Sequence, residues 1–334
     1  MRTPYCISLN SINNLFIKSS SIDMSKVTVV GAGNVGATVA NVLAHKDIVN
    51  EVVLLDIRGD FAKGKALDSW QQAPIDYYST KLTGTDKYKD TKGSDIVVIT
   101  AGIPRKPGMS RDDLISTNAG IVSSVTKSIL KYTKNPIIIV VSNPLDVMTF
   151  AAFKSSGLKA NRVFGMAGIL DTARYRAFLS TELQVSPKDI QAVLMGGHGD
   201  TMVPLPRYTT VAGIPVMEMI EKDKLKAIVE RTKKGGGELV GLMGTSAWYA
   251  PGAAAAQMVE SIVKDDGRIF PCCSYLNGQY GLKNIFLGVP VKLGKEGIKE
   301  VLELKLNKSE MKLLHKSANH VKEVMTTFNK MKIV

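Results

Sequence analysis

A β-branched run, Lys26–Val30, passes directly into Gly31-Ala32-Gly33-Asn34-Val35-Gly36, and no other feature constrains the fold of this chain so strongly. The glycines are followed by a helical period over 34–44, so the stretch reads as the opening of a βαβ unit. Glycine at these places permits a tight turn, close approach of the backbone to a pyrophosphate and close packing of helix on strand. The helix N-terminus adds free N–H donors for an anion. Asp56 ends the next strand-like run, twenty residues after Gly36. A carboxylate there accepts hydrogen bonds from the adenosine ribose hydroxyls and repels the extra phosphate of NADP. The expected cofactor is therefore NAD, held by Gly31, Ala32, Gly33, Asn34, Val35, Gly36 and Asp56. Arg58, whose guanidinium is able to tolerate a 2′-phosphate, is read as a surface residue. A purely structural glycine turn is the plain alternative.

Short runs rich in β-branched residues then alternate with longer segments of helical period, the pattern of a doubly wound parallel sheet. Strands are predicted over 26–30, 51–56, 95–100 and 136–142, with helices over 34–44, 111–134 and 145–155. The second half changes character. Helices are predicted near 171–183, 222–264 and 309–331, and strands near 191–195, 268–275 and 285–292, with Gly235–Gly237 and Pro251 expected to break the long middle helix. The expected fold is thus α/β: a Rossmann domain over 24–167, then an α+β substrate domain over 168–334. Residues 1–23 are polar and serine-rich with no secretory apolar core, and Met24 stands just before the first strand. They are expected to be a flexible extension or a mis-assigned start, with a weak organelle transit peptide as the alternative.

Length and composition exclude several classes. A chain of 334 residues that is 45% hydrophobic supports two domains with large cores. No apolar run approaches the roughly 20 residues needed to span a bilayer. Cys6, Cys272 and Cys273 have neither disulfide-framework nor zinc-site spacing, so a reducing, cytoplasmic setting and no metal are expected. The net charge of +13 raises the possibility of a polyanionic partner. Its distribution argues otherwise: the ten lysines from Lys292 onward are interspersed with Glu296, Glu300, Glu303, Glu310 and Glu323, as on solvated helix faces. Neither a nucleic acid nor a membrane is expected as a partner.

Of four histidines, His45, His315 and His320 fall among charged residues of predicted surface helices, whereas His198 stands in Met195-Gly-Gly-His198-Gly-Asp200 just past an apolar strand. Imidazole is suited to taking a hydroxyl proton near neutral pH during hydride transfer from an alcohol. A turn histidine bonded to Asp200 is the alternative. A general base also needs an orienting carboxylate, for which Asp171 and Asp200 are candidates. Asp171 and Arg174 lie three apart on a predicted helix and share one face, although an N-cap and a surface ion pair would show the same spacing. The loop Ala101-Gly-Ile-Pro-Arg105-Lys-Pro-Gly-Met-Ser-Arg111 follows the strand at 95–100, at the sheet edge where open α/β sheets place ligands. Its guanidinium groups suit a carboxylate. Ser142-Asn143-Pro144 ends the next strand at the same edge and offers Asn143 as a neutral donor.

Taken in order, VVGAGNVG, LLDI, TAGIPRKPGMSR, VSNPLDV, GILDTAR and GGHGD closely resemble the malate/lactate dehydrogenase family, most of all its lactate-dehydrogenase-like bacterial malate enzymes, from about Met24 to the C-terminus. The resemblance implies His198 as proton acceptor, Asp171 as its partner and Arg174 as the clamp on the substrate's first carboxylate. It implies Arg111 as the group that polarises the reacting carbonyl, with Asn143 assisting, and Asn118, Val141, Ser142 and Asn143 against the cofactor. Arg105 occupies the position at which lactate enzymes of the family carry glutamine. A dianion such as oxaloacetate brings a second carboxylate that needs a cation, whereas pyruvate would leave Arg105 desolvated and unpaired. Leaving one member of a buried charge pair alone costs about 2–5 kcal/mol, so discrimination of roughly thirtyfold or more is expected. The implied reaction is reversible NAD-dependent oxidation of malate to oxaloacetate, a step of the tricarboxylic acid cycle, by a homodimer or homotetramer. Rival readings are a lactate or other 2-hydroxyacid enzyme, disfavoured by Arg105, and an NAD-dependent glycosidase, which would need a Cys–His metal site absent near Ser142-Asn143.

Overall fold

Strands with no polar face can exist only where both faces are covered. The structure, a computed structural model, describes residues 26–104, 109–331 and 333. Residues 1–23 and Arg105 therefore lie outside the described residues. In the first half β1 (Lys26–Val30), β2 (Glu51–Leu55), β3 (Lys81–Thr85), β4 (Ile96–Ile99), β5 (Ile137–Val140) and β6 (Val163–Met166) alternate with α1 (Asn34–Lys46), α2 (Gly59–Gln71), α3 (Arg111–Leu130) and α4 (Leu145–Ser156). Every residue of β4, β5 and β6 is buried, as expected of central parallel strands sandwiched between helices, whereas the edge strand β3 is partly exposed.

After α5 (Gly168–Leu183) come α6 (Lys222–Met243), α7 (Tyr249–Lys264), β7 (Ile269–Asn277), β8 (Lys283–Gly294), β9 (Gly297–Val301) and α8 (Lys308–Lys330). One nine-stranded sheet in the order β9-β8-β7-β6-β5-β4-β1-β2-β3 runs through both halves. It is parallel from β3 to β6, and β7 joins antiparallel to β6, with Cys272 opposite Met166 and Cys273 opposite Gly165. The strand order reverses between β1 and β4, which opens a crevice beyond their carboxyl ends.

Two expectations change. The strand at 95–100 is the fourth, because β3 and helix α2 lie between it and β2, and β6 was likewise unforeseen. The polar sequence KLTGT of β3 hid it: an edge strand needs only one covered face. The triple glycine also does not break its helix, since α6 continues through Gly235–Gly237 and ends only at Gly244, whose φ is 69°. A Cβ on Gly235 would stand 3.2 Å from Cδ of Arg174, so the missing side chain makes room for that arginine. Pro251 falls in the first turn of α7, where its absent N–H is harmless.

Candidate active site

The phosphate-binding turn follows from contacts that only glycine allows. Gly31 has φ 101°, and a Cβ on Gly36 would stand 1.8 Å from the Gly31 carbonyl oxygen, so helix α1 starts hard against the end of β1. A Cβ on Gly33 meets nothing within 4 Å, which leaves the mouth of the turn open to a ligand. Asp56, just past β2, accepts from the backbone N–H of Ala32 at 2.7 Å and of Arg58 at 2.9 Å. Its carboxylate thus braces the glycine turn and lines a cleft of about 360 Å³ with Gly31, Gly33, Thr100, Ile121 and Val125. This cradle and the carboxylate beside it fit a dinucleotide. Arg58 pairs with Asp56 at 3.6 Å and lies over the ring of Phe61.

Asn118, buried on α3, accepts from Ile103 N–H at 2.8 Å and donates to the carbonyls of Ile103 at 3.1 Å and Asn143 at 2.7 Å. One amide thereby ties the loop after β4 to the loop after β5. Ser142 Oγ donates to the Ala101 carbonyl at 2.6 Å and Val141 N–H to Ile99 at 2.8 Å, so 141–143 form a fixed wall with Asn143 exposed to the cleft.

His198 and Asp171 meet. Nδ1 of the imidazole is 2.9 Å from Oδ2 of Asp171, which sits in the first turn of α5 and is 2% exposed. Oδ1 of the same carboxylate accepts from Nη1 of Arg174 at 3.3 Å. The alternative of an Asp171 N-cap is thereby set aside, because α5 begins at Gly168 and the carboxylate bonds side chains. Asp171 holds the imidazole's proton affinity above its ordinary value, against the opposing effect of burial. Nε of Arg174 is buried without a hydrogen-bond partner among the described residues, a donor left for a ligand.

The loop carrying His198 is pinned on three sides. Gly196 exchanges two backbone hydrogen bonds with Gly288 of β8 at 2.8 and 3.1 Å, and Gly197 N–H donates to Ser317 Oγ of α8 at 2.8 Å. Asp146 of α4 accepts from His198 N–H at 3.2 Å. Sequence reasoning passed over Asp146; its place three residues after Asn143, just inside a helix, was the available signal. A cleft of about 490 Å³ brings His198 together with Arg111, Asn143, Asp146, Asp200, Thr201 and His320. Arg111 opens α3 behind a capping box of Ser110 and Asp113, and its Nη2 donates to Nε2 of His320 at 3.1 Å. His320, expected on a plain surface helix, therefore reaches this cleft from α8. Asp200 lines it but Asp171 partners the imidazole. Thr245 and Ser246 are exposed between α6 and α7.

The first half, residues 25–165, matches the family model of the lactate/malate dehydrogenase NAD binding domain, and residues 169–332 match that of the lactate/malate dehydrogenase alpha/beta C-terminal domain. The chain belongs to the lactate/malate dehydrogenase family. Among family members, the malate dehydrogenase of Cytophaga hutchinsonii is 67% identical over 305 residues, which is 91% of this chain and 98% of that protein. The solved malate dehydrogenase of Salinibacter ruber superposes with a TM-score of 0.89 at 53% identity, covering 92% of this chain and 98% of the other. A lactate dehydrogenase of the family from Cryptosporidium parvum, solved with lactic acid and nicotinamide adenine dinucleotide, gives a TM-score of 0.88 at 37% identity, covering 92% and 98%.

Proposed function

We propose that this chain is an NAD-dependent malate dehydrogenase that interconverts (S)-malate and oxaloacetate. The observation that carries the reading is the His198–Asp171–Arg174 cluster, bonded at 2.9 and 3.3 Å. NAD, held by the Gly31–Gly36 turn and Asp56, supplies the hydride acceptor when bound. His198 takes the proton from the substrate hydroxyl at Nε2, because Nδ1 is engaged by Asp171. Asp171 stabilises the imidazolium that results. Arg174, with a spare buried donor, clamps one carboxylate in the two-point geometry that guanidinium favours. Arg111 leaves His320 to polarise the reacting oxygen, and Asn143 donates to the same atom. Arg105 neutralises the second carboxylate. Asn118, which joins the two loops, and residues 141–143 would line the cofactor's side of the cleft.

The division of labour runs between 24–167, which holds the cofactor, and 168–334, which supplies His198, Asp171 and Arg174. A homodimer or homotetramer is supported by exposed apolar side chains on and after α2: Leu67 is 57%, Ile75 72% and Tyr77 91% exposed. Lys233, Lys46, Lys264 and Lys299 pair with Glu230, Glu260 and Asp265, so these cations are matched locally and do not form an open basic stripe. Among the described residues no helix is long and apolar enough to cross a membrane. A cytoplasmic place and the absence of nucleic-acid and membrane partners are part of this reading.

The test is initial rates with oxaloacetate and pyruvate against NADH and NADPH, repeated with Arg105→Gln. The native protein is expected to prefer oxaloacetate with NADH, and the variant to lose kcat/KM for oxaloacetate by roughly thirtyfold or more while gaining on pyruvate. An unchanged preference between the two acids would sink the assignment.

A further inference from the structure

We infer that Asp146 is a positioning residue for His198: from the first turn of α4, its buried carboxylate holds the backbone of the histidine loop and sets a second negative charge beside the imidazole. This rests on the proposed role of His198 as proton acceptor.

Contacts from three elements converge on this carboxylate. Oδ2 accepts from His198 N–H at 3.2 Å, and Oδ1 accepts from Sγ of Cys273 on β7 at 3.2 Å. The thiol is a dependable donor, since burial and then the adjacent Asp146 push its pKa far up and keep it protonated. Gly165, opposite Cys273 in the sheet, admits this packing, because a Cβ there would meet Thr149 Oγ1 at 2.5 Å and Cys273 Cβ at 3.0 Å. Asp146 also lies at the positive end of the α4 dipole, which favours its charge.

A purely structural acceptor for one backbone N–H need not be charged, and an amide of the same shape would accept the same bond. Burial raises the Asp146 pKa to about 6, so at neutral pH the fold carries an ionised carboxylate against a desolvation penalty. The electrostatic consequence falls on His198, whose proton affinity is raised by Asp171 first and by Asp146 in addition, while burial and Arg174 oppose them. The titratable and charged groups that face the pair are Asp171 and Arg174 from α5, Cys273 from β7, and Arg111, Asp200 and His320 around the cleft. Two carboxylates from two elements thus bias one imidazole in the same direction.

The test is Asp146→Asn in the full chain. His198 is titrated by NMR of its ring protons without substrate, and kcat/KM for malate is followed from pH 5.5 to 9. The amide oxygen keeps the bond to His198 N–H but the charge is gone. The His198 midpoint and the acid limb of malate oxidation are expected to move together to lower pH by about half a unit or more, about threefold in rate on that limb. Asp146→Ala, which loses the bond as well, is expected to lower plateau kcat further than Asp146→Asn. An unmoved His198 midpoint in Asp146→Asn overturns the inference. Should that variant not fold, Cys273→Ala keeps the carboxylate but removes its donor, which raises the carboxylate's proton affinity. The His198 midpoint must again fall, and an unchanged one overturns the inference. The NMR titration needs no turnover, so a native protein inert toward malate would refute the proposed activity without touching this test.

Discussion

Replacing Asp171 with asparagine keeps the shape of a side chain that is 2% exposed and removes the charge shared by an imidazole and a guanidinium. In the native site that charge accepts from His198 at 2.9 Å and Arg174 at 3.3 Å and is the largest cause of the imidazole's raised proton affinity. A hydrogen bond to a charged group contributes about 1.5–3 kcal/mol, and leaving a buried charge without its partner costs about 2–5 kcal/mol. At 1.36 kcal/mol per decade, the latter range corresponds to a loss of about 30- to 5000-fold in kcat/KM. The assay is oxaloacetate reduction by NADH from pH 6 to 9, in which His198 must arrive protonated. In the native enzyme the protonated form persists above pH 6.5 and the rate falls as pH rises through the elevated pKa. In Asp171→Asn that fall comes at lower pH, so the deficit widens with pH, while NADH binding at the Asp56 end is retained. A variant within threefold of the native rate, with its basic limb unmoved, would refute the assignment of Asp171 as the partner of the base.

Asp56→Ser is expected to lower the preference for NADH over NADPH by about tenfold or more, measured as the ratio of kcat/KM values. It should also weaken NADH itself, because the Ala32 and Arg58 amides lose their acceptor. In Gly36→Ala the new Cβ would stand 1.8 Å from a backbone oxygen, so the turn must open. Calorimetric titration should show NADH binding weakened by about tenfold or more, with malate chemistry lost in proportion. The buried Asp146 carboxyl, with its pKa raised from 3.8 to about 6, favours folding in its protonated form; this contribution is fully present below pH 3.8 and lost as pH rises through about 6. Asp146→Asn should therefore be more stable than the native chain at pH 8, by up to about 3 kcal/mol, and gain nothing below pH 4. Equal thermal midpoints at pH 8 would show that the carboxylate carries no desolvation cost.

The cofactor half was legible because its chemistry is local. A glycine turn is specified within six consecutive residues, and its packing needs only the strand and helix that flank it. The bracing of that turn by Asp56 was not, since the Ala32 bond depends on the register of β1 against β2. His198 was legible through its glycine neighbours, which mark a loop open to a ligand. Residue chemistry left its partner open between Asp171 and Asp200 and only the resemblance named Asp171; in the fold Asp171, on α5 after β6, is the carboxylate that meets the imidazole, at 2.9 Å.

Local order alone, then, determined the alternating α/β pattern of the first half, the dinucleotide turn and His198 as a candidate base, while the roles of the arginines came from the resemblance of the motifs to a family. Long-range packing decided which of those groups meet. Asp146 and Cys273 are 127 residues apart, and Arg111 and His320 are 209 apart. Gly235, which reads as a helix breaker, became the groove along which Arg174 lies. Spacing along a chain fixes neighbours only within a turn or one face of a helix. Contacts across elements depend on sheet order and on how each helix is buried, and these exist only once the whole core has formed.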